Sequence, residues 1–408
     1  MFLRRFFAIV ISKAAIFAGR LAGKKGSSTP GGIALKICPD ILSHLSKQIK
    51  KEIIFICGTN GKTTTSNLLC SMIEHSGKKA VCNKVGANML PGVCCAFIES
   101  ADIFGRINAD YAVIECDEAS IRRIVPYVVP DKIVITNLFR DQLDRYGELA
   151  TTKRLIQEGI NKKRELKLLL NDDPLCSFFG TKYNAIYYGV NEKSNSETNE
   201  IKEGRFCLIC GAELKYNYYH YSQLGDYFCE KCGFKRPHLD FCATDVNLKN
   251  KMEFNINFDK EVFPVSVDYK GFYNVYNILA AFSAFASLNL GFDNVGKTLS
   301  EYKPQIGRME SFDIGGKKVI LNLSKNPAGF NQAIATLNSD PDEKDVFVVI
   351  NDNAQDGRDI SWIWDVDFEL MSKSNIKFLA AGGIRKDDVA IRFKYAHLND
   401  FEVLENNI

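Results

Sequence analysis

The sequence predicts an α/β protein with a central phosphate-loop domain, an inserted four-cysteine zinc ribbon and a smaller Rossmann-like C-terminal α/β domain. Three observations predict it. A strand-like run, Ile53-Ile54-Phe55-Ile56-Cys57, leads into the glycine-containing turn Gly58-Thr59-Asn60-Gly61-Lys62-Thr63-Thr64, and a helical pattern leads out through Asn67, Leu68, Leu69, Met72 and Ile73. Further apolar runs at Ala112–Ile114, Lys132–Ile135, Lys167–Leu170 and Ala185–Tyr188 alternate with helical stretches, as in a parallel sheet covered on both faces. Finally, Cys207-x-x-Cys210 and Cys229-x-x-Cys232, eighteen residues apart, have zinc-ribbon spacing.

Strand, glycine turn and helix together form the context a phosphate needs. Backbone N–H groups of Gly58–Thr64 and the helix N-terminus wrap the phosphates, Lys62 adds positive charge, and a threonine hydroxyl reaches Mg2+. Ile56 stands where the usual pattern has its first glycine. The chain is read as binding a nucleoside triphosphate. Polar clusters just past strand ends, Glu115–Glu118, Thr136-Asn137 and Asn171–Pro174, lie where open α/β sheets place their ligands.

With 408 residues, 46% hydrophobic and 25% charged, the chain has the composition of an ordinary globular protein of two or three domains. A net charge of +3 gives no argument for nucleic acid. Thirteen cysteines without a signal peptide point to a reducing compartment, with thiols as core residues or metal ligands rather than disulfides. The apolar N-terminus from Met1 to Phe17, interrupted by Lys13 and Arg20, reads as an amphipathic helix. It either packs on the domain behind it or makes a peripheral contact with a membrane surface. Lys24–Gly32 makes a flexible turn.

Three segments follow: 1–45, an N-terminal helical stretch; 46–305, the central ATP-binding domain, with the ribbon inserted at about 203–238; and 306–408, the C-terminal domain. Residues 190–204 read as a polar loop. A mixed sheet resumes at Glu253–Phe258 before a helix from Tyr273 to about Leu288. Lys318–Leu321 and Asp345–Ile350 are expected to open the last domain as strands.

In the ribbon, each Cys-x-x-Cys makes a knuckle whose thiolates face one ion, and Gly211 and Gly233 sit where the knuckle turn needs a permissive residue. A closed zinc site of four cysteines is structural. The intervening Tyr216, Tyr218, Tyr219, His220 and Tyr221 suit a small core or a protein contact better than nucleic acid.

Five motifs in order resemble the Mur ligase family of ATP-dependent amide ligases: Gly58–Thr63, Asn171–Pro174, Gly271–Asn277, Gly307–Glu310 and Asn326–Gly329. The ribbon together with Asn351–Asp365 narrows the resemblance to the ligase-like subunits of lipid II isoglutaminyl synthase, over essentially the whole chain. The resemblance implies a Mur ligase-type fold that uses ATP and Mg2+ to phosphorylate the α-carboxylate of D-glutamate in lipid II. Ammonia from a GatD-type glutamine amidotransferase subunit then gives D-isoglutamine, in the cytoplasm at the inner face of the membrane. It further implies that Glu115 helps to hold metal, that Asn274 and Asn277 read adenine or ribose, and that Arg308 reaches the nucleotide between domains. Packing or capping is an equal alternative for the two asparagines. Lys325, Asn326 and Pro327 fall where the C-terminal domain meets substrate.

One departure is Asp141-Gln142-Leu143-Asp144, where classical members carry a histidine, and no lysine matches the one they carbamylate. Both weigh against a stand-alone ligase that adds an amino acid, of Mur or folylpolyglutamate synthase type. The chain also ends early for the family after Phe401–Leu404. The amidotransferase partner is expected to borrow an aspartate for its Cys–His pair: Asp356, in an exposed Asp-Gly turn, slightly ahead of Asp359 and Asp352. Trp362 and Trp364 either anchor an interface or fill a core.

Overall fold

The computed structural model describes residues 2–21, 23, 28–83, 87–140, 149–161, 165–193, 203–249, 251–269, 271–303, 307, 309–353 and 356–405. The sequence-level readings of Asp141–Asp144, Ser194–Glu197 and Arg308 lie outside them, as does the Lys24–Ser27 part of the turn expected over Lys24–Gly32. The rest of that expectation is corrected, because Thr29–Gly32 open the helix Thr29–Ile37, where Pro30 is tolerated in the first turn. Strands β1 (Glu52–Cys57), β2 (Ala80–Cys82), β3 (Tyr111–Glu115), β4 (Lys132–Ile135), β5 (Lys167–Asn171) and β6 (Ala185–Val190) build the centre of the molecule. The hairpin strands β7 (Lys215–Tyr219) and β8 (Gly225–Phe228) belong to the ribbon, and β9 (Phe241–Asn247), β10 (Met252–Phe258) and β11 (Glu261–Val267) return to the main sheet. Its nine strands run in the order β11-β10-β9-β6-β5-β4-β1-β3-β2. From β9 to β2 all neighbours are parallel, and β10 and β11 add an antiparallel edge.

The unbroken apolar runs follow from burial on both faces. Along β1, Ile53, Phe55 and Cys57 enter one core, while Ile54 and Ile56 enter the other. The first core lies under the N-terminal helices Thr29–Ile37 and Ile41–Ser46 and the helix Leu90–Ser100. The second lies under Lys62–His75 and Tyr273–Ala286, the latter being apolar almost all round because it is wholly buried. The helix Phe2–Leu21 forms as the sequence predicts and packs against Thr29–Ile37 through Ala8, Ile9, Ser12 and Ile16.

A second parallel sheet, β14 (Lys344–Val349), β15 (Ile376–Gly382) and β16 (Glu402–Val403), has its own core with Pro327–Ser339 and Lys386–Tyr395. The expected strand at Lys318–Leu321 exists but does not belong to this sheet. β13 (Lys317–Leu321) pairs only with β12 (Glu310–Ile314), because Gly315 and Gly316 both take positive φ and close a two-residue hairpin turn. The expectation of free thiols throughout is also corrected: Cys70 and Cys82 form a disulfide. The helix bearing Cys70 crosses the strand ending at Cys82, bringing their Cα atoms to 6.7 Å, a proximity that spacing along the chain cannot reveal.

The ribbon is fastened to the main sheet by the Asn171–Pro174 motif. The Asp172 carboxylate, fully buried, accepts from Arg236 Nη2 at 2.7 Å, and Arg236 also donates to Tyr218 Oη at 3.0 Å. His220, whose imidazole burial pushes below its usual range, bonds Tyr276 Oη at 2.7 Å and the Glu192 carbonyl at 2.8 Å. Asp173 caps Pro174–Ser177 by accepting from Leu175 N, and also accepts from Leu138 N and Gln223 Nε2. Burial pushes its carboxyl up to about 6. Removing one member of a buried ion pair strands the other, so Arg236→Met should cost about 3 kcal/mol or more. That loss should appear as a lower urea midpoint at unchanged slope, and Asp172→Asn added to it should recover part.

Candidate functional site

The phosphate turn is shaped from outside. Gly58 has φ +124°, and a Cβ there would sit 2.3 Å from Thr136 Oγ1. Gly61 has φ +82°, and a Cβ there would sit 2.0 Å from Asn277 Oδ1. Only glycine fits either place. Between them, Asn60 N donates to Asn137 Oδ1 at 2.8 Å, and Asn60 O accepts from Thr136 Oγ1 at 2.7 Å and Asn137 Nδ2 at 3.1 Å. Thr59 exchanges bonds with the Phe139 backbone. The loop following β4 thus holds the turn open ahead of the helix Lys62–His75, whose first N–H groups face the cavity.

That cavity has a volume of about 320 Å3 and is lined by Thr59, Asn60, Gly61, Lys62, Thr63, Thr64, Glu115 and Asn277. Lys62 Nζ lies 3.3 Å from Glu118 and donates to the Gly58 and Thr59 carbonyls, so its charge is already positioned at the turn. Glu115, at the end of β3, is 2% exposed; Asn88 Nδ2 donates to its Oε1 at 3.0 Å. Its Oε2 is buried without a hydrogen-bond partner among the described residues. A lone carboxylate oxygen at a cavity lined by Thr63 suits a hard divalent cation such as Mg2+.

The second wall comes from the C-terminal part of the chain. Asn322, Ser324, Lys325, Asn326, Gly329 and Gln332 line the same cavity. The Asn60 and Asn326 side-chain amides pair reciprocally at 3.2 and 3.1 Å, while Asn326 caps Pro327–Ser339 by accepting from Gly329 N. Arg140 and Asp365, 3.3 Å apart, add a second tie. Lys325 and Asn326 therefore reach the cavity, whereas Pro327 lines the small neighbouring pocket beside Arg140. Asn277 lines the cavity and donates to Asn274 Oδ1 at 2.9 Å, so Asn274 stands behind it as a support. Sequence reasoning missed Asn83, which brackets the Glu115 backbone with two 2.8 Å bonds, and Asn88 and Gln332. The polar cluster at Glu115–Glu118 was the one signal pointing to that corner.

Asp352, Asp356 and Asp359 lie in the loop after β14, away from the cavity lining. Asp352 pairs with Arg385 at 3.0 Å. Asp356 is exposed and accepts from Asn353 Nδ2. Asp359 accepts from Ser361 N at 2.9 Å, and the Ser361 hydrogen bonds hold its carboxyl below the usual range. Trp362 packs on Phe330, while Trp364 is half exposed against Tyr395.

The four ribbon thiols converge. Cys207, Cys210, Cys229 and Cys232 have their sulfurs within 4.8 Å of one another, with Cys207–Cys232 and Cys210–Cys229 at 3.5 Å. Thiolates bound tetrahedrally at about 2.3 Å to one zinc stand roughly 3.8 Å apart, so the cluster fits that ion. The two knuckles repeat one geometry: Gly211 N donates to Cys207 O and Gly233 N to Cys229 O, with φ of +74° and +75°. Elemental analysis of the purified chain should find one zinc per molecule. Cys210→Ser should lose it and become susceptible to proteolysis between residues 203 and 238.

Residues 56–230 match the Mur ligase middle domain and residues 323–407 the MurT ligase C-terminal family. The Staphylococcus aureus (strain COL) lipid II isoglutaminyl synthase (glutamine-hydrolyzing) subunit MurT is 38% identical, over 100% of this chain and 91% of that protein. The Streptococcus pneumoniae (strain R6) subunit of the same name is 36% identical over 91% of this chain and 82% of its own. Among solved structures, a pseudomurein peptide ligase type C from Methanothermus fervidus superposes with a TM-score of 0.69 at 28% identity, covering 90% of this chain and 69% of that one. MurF from Thermotoga maritima in complex with ADP, at 14% identity and a TM-score of 0.64, covers 93% of this chain and 75% of its own, and shares the fold. With relatives this close along its full length, the chain belongs to the MurT family of Mur ligase-fold proteins.

Proposed function

We propose that this chain is the ligase-type subunit of a lipid II isoglutaminyl synthase that amidates the α-carboxylate of D-glutamate during peptidoglycan synthesis. The observation that carries the reading is the coincidence, in a chain 38% identical to a MurT, of a phosphate turn and a buried, half-unpartnered Glu115 on one cavity closed by the C-terminal part. ATP is the phosphoryl donor. A substrate carboxylate oxygen takes the γ-phosphoryl group and ADP leaves. Ammonia then attacks the carbonyl carbon of the acyl phosphate, and phosphate departs as the nitrogen loses a proton.

The turn amides and Lys62 oppose the negative charge on the transferring group, and the C-terminal wall keeps water from competing with ammonia. Glu115 and Thr63 would hold Mg2+, which when bound neutralises phosphate charge. The ammonia source is a GatD-type amidotransferase subunit whose histidine is oriented by one of Asp356, Asp359 and Asp352, with Asp356 favoured because it projects outward. This reading implies a cytoplasmic site at the inner face of the membrane.

Lys62→Ala and Glu115→Gln should each lower ATP-dependent product formation at least about a hundredfold, and Glu115→Gln, which keeps the shape of the side chain, should leave the melting temperature nearly unchanged. Mass spectrometry of lipid II after incubation with ATP, Mg2+ and ammonium should show one carboxyl converted to an amide, whereas an added amino acid would refute the assignment. With glutamine as the nitrogen source, Asn at the borrowed aspartate should abolish activity that ammonium restores. Loss of both activities in all three Asp→Asn variants would exclude a borrowed aspartate here.

A further inference from the structure

The helix Phe2–Leu21 is held to the body by one face, and among the described residues nothing covers the other. Its inner face buries Ala8, Ile9, Ser12 and Ile16, and Arg5 and Arg20 pair with Asp40 and Glu99 to set its rotation. The outward arc is formed by Leu3, Phe7, Val10, Ile11, Phe17 and Leu21, all exposed, with two alanines between them. No polar side chain interrupts that arc over the helix's length of about 30 Å. Arg4 borders it on one side, with Lys13 and Arg20 on the other.

A second segment extends the same surface. The Asp102 carboxylate accepts from both Phe104 N and Arg106 N at 2.8 Å, closing a tight turn that holds Ile103 and Phe104 in solvent. Phe104 is 55% exposed, its ring lies 6.4 Å from that of Phe6, and Arg106 stands over it. Two stretches about a hundred residues apart thus join into one apolar ridge bordered by Arg4, Lys13 and Arg106, with Arg20 offset by its partner Glu99 and Asp102 turned to the backbone of its own loop. The charge pattern selects the occupant: the first 39 residues carry seven Lys and Arg and no acid, the first being Asp40. Among the described residues no helix is long and apolar enough to cross a membrane. An apolar arc flanked by cations on a non-spanning helix suits the interface of an anionic lipid bilayer.

We infer that the outward face of Phe2–Leu21 and the Ile103-Phe104 turn dock this protein in the plane of an anionic phospholipid surface. The test is co-sedimentation of the full chain with vesicles of phosphatidylcholine containing phosphatidylglycerol, and with vesicles of phosphatidylcholine alone. Binding should favour the anionic vesicles and fall at least about tenfold in Phe17→Glu/Phe104→Glu, while Phe17→Leu/Phe104→Leu retains it. Because all four substitutions are at exposed positions, melting temperature and nucleotide binding should not change. Absence of vesicle binding, or equal binding by the glutamate variant, overturns the inference. So does sedimentation velocity showing that the wild-type chain self-associates through this ridge and that the glutamate pair dissociates it. The assay involves no turnover, so its outcome is independent of the amidation reaction.

Discussion

Asn60 ties the molecule together. Its backbone N–H and C=O are both held by the Thr136-Asn137 step, which gives the phosphate turn its open shape. Its side chain meets Asn326 amide to amide, and Asn326 in turn caps the first helix of the C-terminal part. One residue thus couples the shape of the turn to the position of the opposing wall. Two neutral amides make a modest tie, on the order of 1 kcal/mol per bond. The glycines on either side have no alternative, since Thr136 and Asn277 occupy the space a Cβ would need.

The ribbon depends on a different constraint. A short insert whose own buried cluster is as small as Cys207, Leu214, Tyr227, Cys229 and Phe234 cannot hold itself in place by burial alone. The four thiols supply local cohesion, and the Asp172–Arg236 and Asp173–Gln223 contacts fix the insert to the strand carrying Asn171. Tyr221 lines the cavity beside Gly61–Thr64 from this insert, so the ribbon's placement reaches the candidate site directly. Asp172 and Asp173, which resemble ligand-binding residues in the sequence, instead serve this junction: both carboxylates are fully buried and turned into the protein.

Much of the fold was legible because its signals are local. Continuous apolar runs mark strands covered on both faces, glycines with positive φ mark turns, and paired knuckles mark a metal ribbon. The short strands Ala80–Cys82 and Glu402–Val403 gave no such signal, since two or three residues establish no period. Lys317–Leu321 had the composition of a sheet strand, and only its Gly315-Gly316 turn decided that it pairs back on itself. The Cys70–Cys82 bond was invisible for a related reason: helix and strand meet in space, with no motif to announce it.

The sequence by itself determined the strand–turn–helix around Gly58–Thr64, the pairing of four cysteines in two knuckles, the parallel sheet and the membership of a ligase family, because each is encoded by residue type at short spacing. Only the tertiary structure decided that Glu115 lines the same cavity as the turn with one oxygen unpartnered among the described residues, that Asn277 rather than Asn274 lines the cavity, and that Asn326 closes on Asn60 across 266 residues. These depend on strands and helices distant in sequence arriving at one sheet edge, a long-range condition that no local pattern records.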